Sequence, residues 1–295
     1  MSTSRREFLA SAAALTVGAG LAGAAEPVAK PKLKKAVKYG MIRVEGSPAD
    51  KLAAAKRVGL LGVEIDSPSG LNLDELVKAS QSTGVPIHGV IDSVHWRDTL
   101  SSPDEAVRAK GLAALKGAIV DAKKVGADTV LLVPGVVNKD VTYQECWDRS
   151  TAEVKKALPD AEKAGVKIAI EVVWNNFITK PEQLVEYVDQ FKSPWVGAYF
   201  DISNMLKYGV PAATWIRALD KRMLKFDFKG FDMKKFEAKQ NPWVAIGEGT
   251  EDWPDVLKAL AEVGYHGWAT AEVGGGDEKF LADVSARMDK VLGLK

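Results

Sequence analysis

Four carboxylates close four apolar runs in the second half of the chain: Glu171 in KIAIEVV, Asp201 in VGAYFDISN, Asp227 in MLKFDFKG and Glu272 in GWATAEVGG. Each stands where a short β-patterned run gives way to a loop. A carboxylate in apolar surroundings is costly unless it is paired or bound to a metal. The same cost repeated at equivalent points of successive units points to one shared site, a divalent cation held by Glu171, Asp201, Asp227 and Glu272. With no His or Cys cluster beside them, these oxygens favour a hard ion, Mn²⁺ or Mg²⁺ before Ca²⁺. Ion pairing is the alternative: Asp201 as a cap on the turn after its strand, Glu272 with Lys229, and Asp227 with Lys229 or Lys225. Without a metal, such a buried layer would weaken the fold.

Further polar and aromatic residues fall at strand ends. His95, Trp96, Trp174, Asn175, Asn204, Lys229 and Glu248 are the candidate substrate contacts, and Asp66, Asp92 and Asn176 occupy similar positions. A polar mouth with aromatic walls suits a small polyhydroxylated ligand. Glu248 lies in Gly-Glu-Gly, where it can also serve only to shape a loop. Of the three histidines only His95 ends a strand; His88 is expected to be buried and structural, and His266, just before the last strand, belongs at the opposite end. The single cysteine, Cys146, excludes an intrachain disulfide and a multi-cysteine zinc site, and its helical setting reads as a buried thiol.

The elements that position these residues alternate regularly. Strands are expected at 36–42, 62–66, 86–96, 128–135, 167–174, 195–203, 223–230 and 267–273, each followed by a helix. Ser47 with Pro48 signals one helix start and Ser102-Pro103-Asp104-Glu105 another; Pro181, Pro211 and Asp252 open later helices, and Gly84 ends an early one. An irregular stretch, FDMKKFEAKQNPWVAIGEGTED, separates the seventh strand from its helix. Eight strand-then-helix units with near-continuous apolar strands predict an α/β fold, a (β/α)₈ TIM barrel over 36–295, with its active site at the C-terminal strand ends. A doubly wound open sheet is the rival, without a Rossmann glycine fingerprint to support it.

Ahead of the barrel, Ser4-Arg5-Arg6-Glu7-Phe8-Leu9, a run rich in Ala and Gly, and Ala22-Gly23-Ala24 read as a twin-arginine signal over 1–24 with its cleavage site. Residues 25–35, rich in Pro and Lys, read as a linker. The expected destination is the periplasm, reached through the Tat export machinery, with no membrane segment after cleavage. Folding before export would let a weakly held ion such as Mn²⁺ take the site before copper or zinc could compete. The chain's 295 residues carry a net charge of +1, which gives no sign of a nucleic-acid partner. A homo-oligomer is compatible with the pattern.

These strand ends resemble the sugar phosphate isomerase/epimerase family, the xylose isomerase-like TIM barrels, over roughly residues 36–292. That family has Glu on strand five, an Asp-x-x-His motif on strand six, His on strand seven and Glu on strand eight. Glu171, Asp201 and Glu272 match, and GEGTEDW at 247–253 resembles the loop before the seventh helix. Two positions depart: Asn204 stands for the motif's His, and Asp227 for the strand-seven His. Asn204 can still hydrogen-bond a hydroxyl but cannot shuttle a proton.

The resemblance implies a metal-dependent isomerase or epimerase acting on a ketose or sugar derivative. The metal would polarise the carbonyl, Glu171 and Glu272 would exchange protons through a cis-enediolate, and Lys229 would steady the developing charge. The same proton removal can instead expel a substituent, giving a lyase or hydratase on keto-sugars or keto-glycosides. A non-catalytic periplasmic carbohydrate-binding protein is the third reading. The abasic-site endonucleases that share the architecture need a His-rich zinc cluster and a basic DNA face, and this chain has neither.

Overall fold

The computed structural model describes residues 30–295. The segment read as a twin-arginine signal with its cleavage site, and the start of the segment read as a linker, lie outside the described residues. Eight strands, β1 (Leu33–Lys38), β2 (Gly62–Ser67), β3 (Ile87–Asp92), β4 (Thr129–Leu132), β5 (Lys167–Glu171), β6 (Val196–Asp201), β7 (Met223–Phe228) and β10 (Gly267–Ala271), form a closed barrel. All neighbours are parallel, and β1 closes the ring by pairing with β10, Val37 opposite Ala271. The first strand begins at Leu33 and not at 36, so it takes up the end of the segment read as linker. Leu33 is buried and Lys34, Lys35 and Ala36 pair in register with β10, a partner that local sequence does not reveal.

Helices α1 (Pro48–Arg57), α2 (Leu73–Thr83), α3 (Glu105–Val125), α4 (Tyr143–Ala164), α5 (Pro181–Asp189), α6 (Ala212–Leu219), α8 (Trp253–Glu262) and α9 (Glu278–Val291) follow the strands. Their ends follow sequence cues. The Ser47 hydroxyl accepts from Asp50 N at 3.3 Å, and the Asp50 carboxylate accepts from Ser47 N at 2.8 Å. Gly84 ends α2 at φ 70°, left-handed backbone that glycine adopts without strain. The cap of α3 is Asp104, whose carboxylate accepts from Ala106 N, and not Ser102. Ser102 is drawn off into a preceding turn, where its hydroxyl accepts from Asp104 N.

The segment read as irregular contains a small excursion. β8 (Gly230–Phe231) pairs antiparallel with β9 (Trp243–Val244), and α7 (Met233–Glu237) lies between them. Gly230 permits this pairing, because a Cβ there would lie 2.4 Å from the Ala245 carbonyl oxygen. Together β8 and β9 lift Trp243 over the barrel mouth.

Side chains alternate along each strand, so one set packs outward against the helices and the other fills the barrel. Phe200, Phe226 and Phe228 join the outer apolar layer. Inside, Leu131, Ala169 and Tyr199 form a thin apolar plug. Below it, His88 stacks on Trp268 with ring centroids 4.2 Å apart, the buried structural role expected of it. His266 takes up a position at the N-terminal end, where its Nδ1 accepts from Lys32 N. Cys146 is buried, and burial pushes its thiol up to about 12.

Outside the barrel, Lys35 is buried at 5% exposure and ties β1 to α9: its ammonium donates to Ser285 Oγ at 2.6 Å and pairs with Asp289 at 2.6 Å. Breaking such a pair leaves an uncompensated ammonium at the barrel's closing seam. Asp289→Ala is therefore expected to cost about 3 kcal/mol of stability, read as a lower urea midpoint at unchanged slope.

Candidate active site

The C-terminal strand ends open into a cavity of about 330 Å³. Glu171, Lys229, Glu272 and Lys38 line its floor; His95, Trp96, Trp174, Asn204 and Trp243 line its walls. A larger, mainly apolar hollow of about 400 Å³ beside Leu257 and Leu292 lies at the barrel's other end, away from these carboxylates.

Glu171, Asp201 and Glu272 each offer an oxygen, and these lie within 4.8 Å of one another. Asp201 is fully buried and divides its work. Its Oδ1 accepts from Ser203 N at 2.8 Å and Asn204 N at 2.7 Å, capping the turn after β6, while Oδ2 accepts from Lys229 Nζ at 2.6 Å. Lys229 Nζ also donates to Glu272. Glu171 has no hydrogen-bond donor from the protein among the described residues.

The electrostatics separate the three acids. Burial raises the Glu171 carboxyl well above its ordinary range, and the charges of Glu272, Asp227 and Asp201 push it further. Burial also raises Asp201, against the opposing pull of Lys229. Glu272 is depressed: burial acts upward, but Lys229 and Lys38 outweigh it. In Lys229 burial works against the ammonium and Asp201 and Glu272 reverse the outcome, so it stays charged.

Asp227 stands outside this trio, contrary to the four-carboxylate expectation. Its Oδ2 accepts from Lys38 Nζ at 2.5 Å and its Oδ1 from the Tyr199 hydroxyl at 2.8 Å, so both oxygens are engaged within the barrel. Lys38 also donates to Glu64 at 2.7 Å, and Tyr199 reaches Glu64 at 2.8 Å. Burial opposes the Lys38 charge, yet Asp227 and Glu64 hold its pKa well above the usual lysine value.

Two other candidates are placed elsewhere. Asn175 is buried in the loop, where its amide donates to the Gly135 carbonyl and accepts from Phe177 N. Glu248 reaches away from the mouth to Arg287 at 2.7 Å. His95, Trp96, Trp174, Asn204 and Lys229 all line the cavity. Burial lowers His95 to about 4, leaving it a neutral hydrogen-bonding group at neutral pH. Trp174 Nε1 donates to the Asn204 carbonyl at 2.7 Å, which ties the loop after β5 to the turn after β6.

Sequence reasoning missed Lys38 and Trp243. Lys38 carried the same signal as the acids, a charge closing an apolar strand, but in AVKYG it reads as a surface lysine. Nothing local marks Trp243, which reaches the cavity only through the β8–β9 pairing.

All-oxygen donors and an excess of buried negative charge fit a divalent cation. Three converging carboxylates share one directly bonded ammonium, Lys229, and among the described residues Glu171 has no donor of its own.

Comparison with known proteins gives the same family. A family model described as Xylose isomerase-like TIM barrel matches residues 52–289. The chain belongs to that family. It is 29% identical to L-ribulose-5-phosphate 3-epimerase UlaE of Salmonella paratyphi A over 196 residues, which cover 65% of this chain and 66% of that protein. The protein of the same name from Escherichia coli K12 is 29% identical over 233 residues, 74% of this chain and 79% of its own length. Among solved structures, L-ribulose 3-epimerase superposes with a TM-score of 0.73 at 17% identity, covering 89% of this chain and 94% of that one. The IOLI protein, described with a bound zinc atom, superposes with a TM-score of 0.74 at 18% identity, covering 88% of this chain and 98% of its own. The relatives' names support an enzyme of the isomerase or epimerase class.

Asp92, at the end of β3, is 1% exposed, and burial pushes its carboxyl up to about 7, against a weak pull from Val94 N–H. The folded state therefore keeps a proton that the unfolded chain loses above its ordinary value of 3.8. That contribution is complete below about pH 4 and is lost as pH rises through 7. Asp92→Asn should match the parent in chemical denaturation near pH 4 and exceed it by about 4 kcal/mol near pH 8.

Proposed function

We propose that this protein is a metal-dependent sugar epimerase that moves a proton on a carbon beside a carbonyl. The observation that carries the reading is the convergence of Glu171, Asp201 and Glu272 on one point of the barrel mouth. Epimerase names among the relatives support the reaction class.

Glu171, Asp201 and Glu272 would hold the ion, with Mn²⁺ or Mg²⁺ favoured by the oxygen donors. When bound, the ion supplies Lewis acidity to the substrate's carbonyl and neighbouring hydroxyl. The rest is done by the protein. Glu171 comes from β5 and Glu272 from the end of β10, three places apart around the ring of eight strands. Approaching the ligand from separate strands, one can take a proton from one face of the carbon while the other returns it to the opposite face. Such a reaction needs two groups of contrasting proton affinity, and burial with unequal access to Lys229 makes these two unequal. Lys229, with its ammonium between Asp201 and Glu272, can hydrogen-bond an enediolate oxygen. Asn204 offers an amide to a hydroxyl but no proton relay.

Export to the periplasm belongs to the same proposal, supported by Arg5-Arg6 and the small-residue run that follows. Fractionating cells that make the full chain tests it, with recovery in the cytoplasm after growth as the contrary outcome.

Proton exchange can be measured directly. Incubation with a ketose panel in D₂O should place deuterium on one carbon of a substrate and yield its epimer, followed by proton NMR. Glu171→Gln and Glu272→Gln should each slow this exchange about a thousandfold with unchanged circular dichroism. Wild-type exchange in either variant would remove the assigned acid and base. Elemental analysis should find about one divalent ion per chain, with the content falling sharply in Asp201→Asn. Full exchange after exhaustive chelation would remove the metal from the mechanism.

A further inference from the structure

The proposed reaction leaves the substrate's distal end undefined, and the relatives include proteins named for a sugar phosphate. Four features of this mouth bear on that end. First, the two cavity lysines are both engaged. Lys38 holds Glu64 and Asp227, and Lys229 holds Asp201 and Glu272. Among the described residues no other lysine or arginine lines the cavity, and at its rim Lys207 sits over the Trp174 ring at 4.5 Å. A phosphate dianion there would meet an excess of carboxylates, with each ammonium already shared between two of them.

Second, barrels of this kind accept phosphate at helix N-termini that follow strands seven and eight. Here both termini carry their own carboxylates. Asp252 accepts from Asp255 N at the start of α8, and Asp277 accepts from Phe280 N at the start of α9. Third, the Gly274-Gly275-Gly276 run after β10, which has the composition of a phosphate loop, is occupied by the loop after β1. Gly276 N donates to the Met41 carbonyl at 3.0 Å, and its carbonyl accepts from Arg43 N at 2.9 Å. A Cβ on Gly275 would lie 2.7 Å from that same Met41 oxygen, so these glycines serve close packing.

Fourth, the rim is aromatic. Trp96 follows β3 and Trp243 follows β7, and these strands are diametrically opposite in the ring of eight. Trp96 is 52% exposed and Trp243 is 38% exposed, while Trp174 stacks on Trp243 with centroids 5.2 Å apart. Large apolar faces left uncovered on opposite sides of a pocket mark a ligand's contact surface.

We infer that this pocket takes an unphosphorylated sugar whose ring lies between Trp96 on one side and the Trp174–Trp243 pair on the other. The inference rests on the carbohydrate reading above and narrows it. A sugar ring presents a C–H face that matches an indole plane, and its hydroxyl edge can reach His95 and Asn204.

Calorimetry on the purified full-length protein tests this with D-fructose against D-fructose 6-phosphate, D-ribulose against D-ribulose 5-phosphate, methyl β-D-glucopyranoside as a locked ring, and inorganic phosphate. The neutral member of at least one pair, or the glucopyranoside, should bind, and adding phosphate to a bound sugar should weaken it about tenfold or more. Trp243→Ala and Trp96→Ala should each weaken neutral-sugar binding about tenfold while leaving circular dichroism unchanged. Tighter binding of a phosphorylated partner, competition by inorganic phosphate, or no heat from any neutral sugar at millimolar concentration would overturn the inference. Binding is read without turnover. Neutral-sugar binding with no deuterium exchange leaves this inference standing and removes the epimerase, whereas exchange confined to a sugar phosphate does the reverse.

Discussion

The arrangement of the barrel mouth depends on one ammonium. Lys229 stands between Asp201 and Glu272, two of three carboxylates that the strands bring to a single point. Glu171 and Asp201 are buried and Glu272 is partly exposed; like charges so close repel where water is scarce, and one lysine cannot balance three acids. The third, Glu171, has no protein donor among the described residues, and burial together with the charges of Glu272, Asp227 and Asp201 raises its proton affinity. The site is thus electrostatically incomplete by construction. A divalent cation would complete it, and the same imbalance separates the two glutamates into groups of unequal basicity.

A second ammonium, Lys38, does for the barrel interior what Lys229 does for the rim. It pairs with both Glu64 and Asp227, and the Tyr199 hydroxyl lies 2.8 Å from an oxygen of each. This fully engaged layer lies beneath the reactive one and gives it a fixed floor. The contrast has a chemical consequence. Asp227 has both oxygens bonded and is spent on structure, whereas among the described residues neither oxygen of Glu171 is bonded by protein, which leaves it available to a ligand. Two carboxylates with the same sequence signature thus play different parts because one has a lysine across the barrel and the other does not.

Much of the scaffold was legible because its signals are local. Alternating apolar runs and caps gave eight strands and their helices, and the Ser47, Gly84 and Asp252 signals stand where they were read. Strand ends were overrun at Trp96 and Trp174, since apolar sequence continues into the loops after pairing has stopped. The Ser102 cap failed for a related reason: a nearby aspartate offered the helix a better-placed oxygen. Within the site, Glu171, Asp201, Glu272, His95, Trp96, Trp174, Asn204 and Lys229 were named from their strand-end positions. Asn175, Glu248 and Asp227 were named on the same grounds and point elsewhere, because position along a strand fixes a residue's height in the barrel but not its partner.

The sequence alone determined the architecture, the height of each acid along its strand and the oxygen-rich character of the site. These follow from the period of two along strands, from turn and cap chemistry, and from the cost of a carboxylate in apolar surroundings. Tertiary structure alone decided which acids remain free. The pairing of Lys38 with Asp227 joins residues 189 positions apart, and that of Lys229 with Glu272 joins residues 43 apart. The placing of Trp243 over the mouth likewise required the β8–β9 pairing. Contacts across a closed barrel depend on strand register and ring order, which no local window of sequence contains.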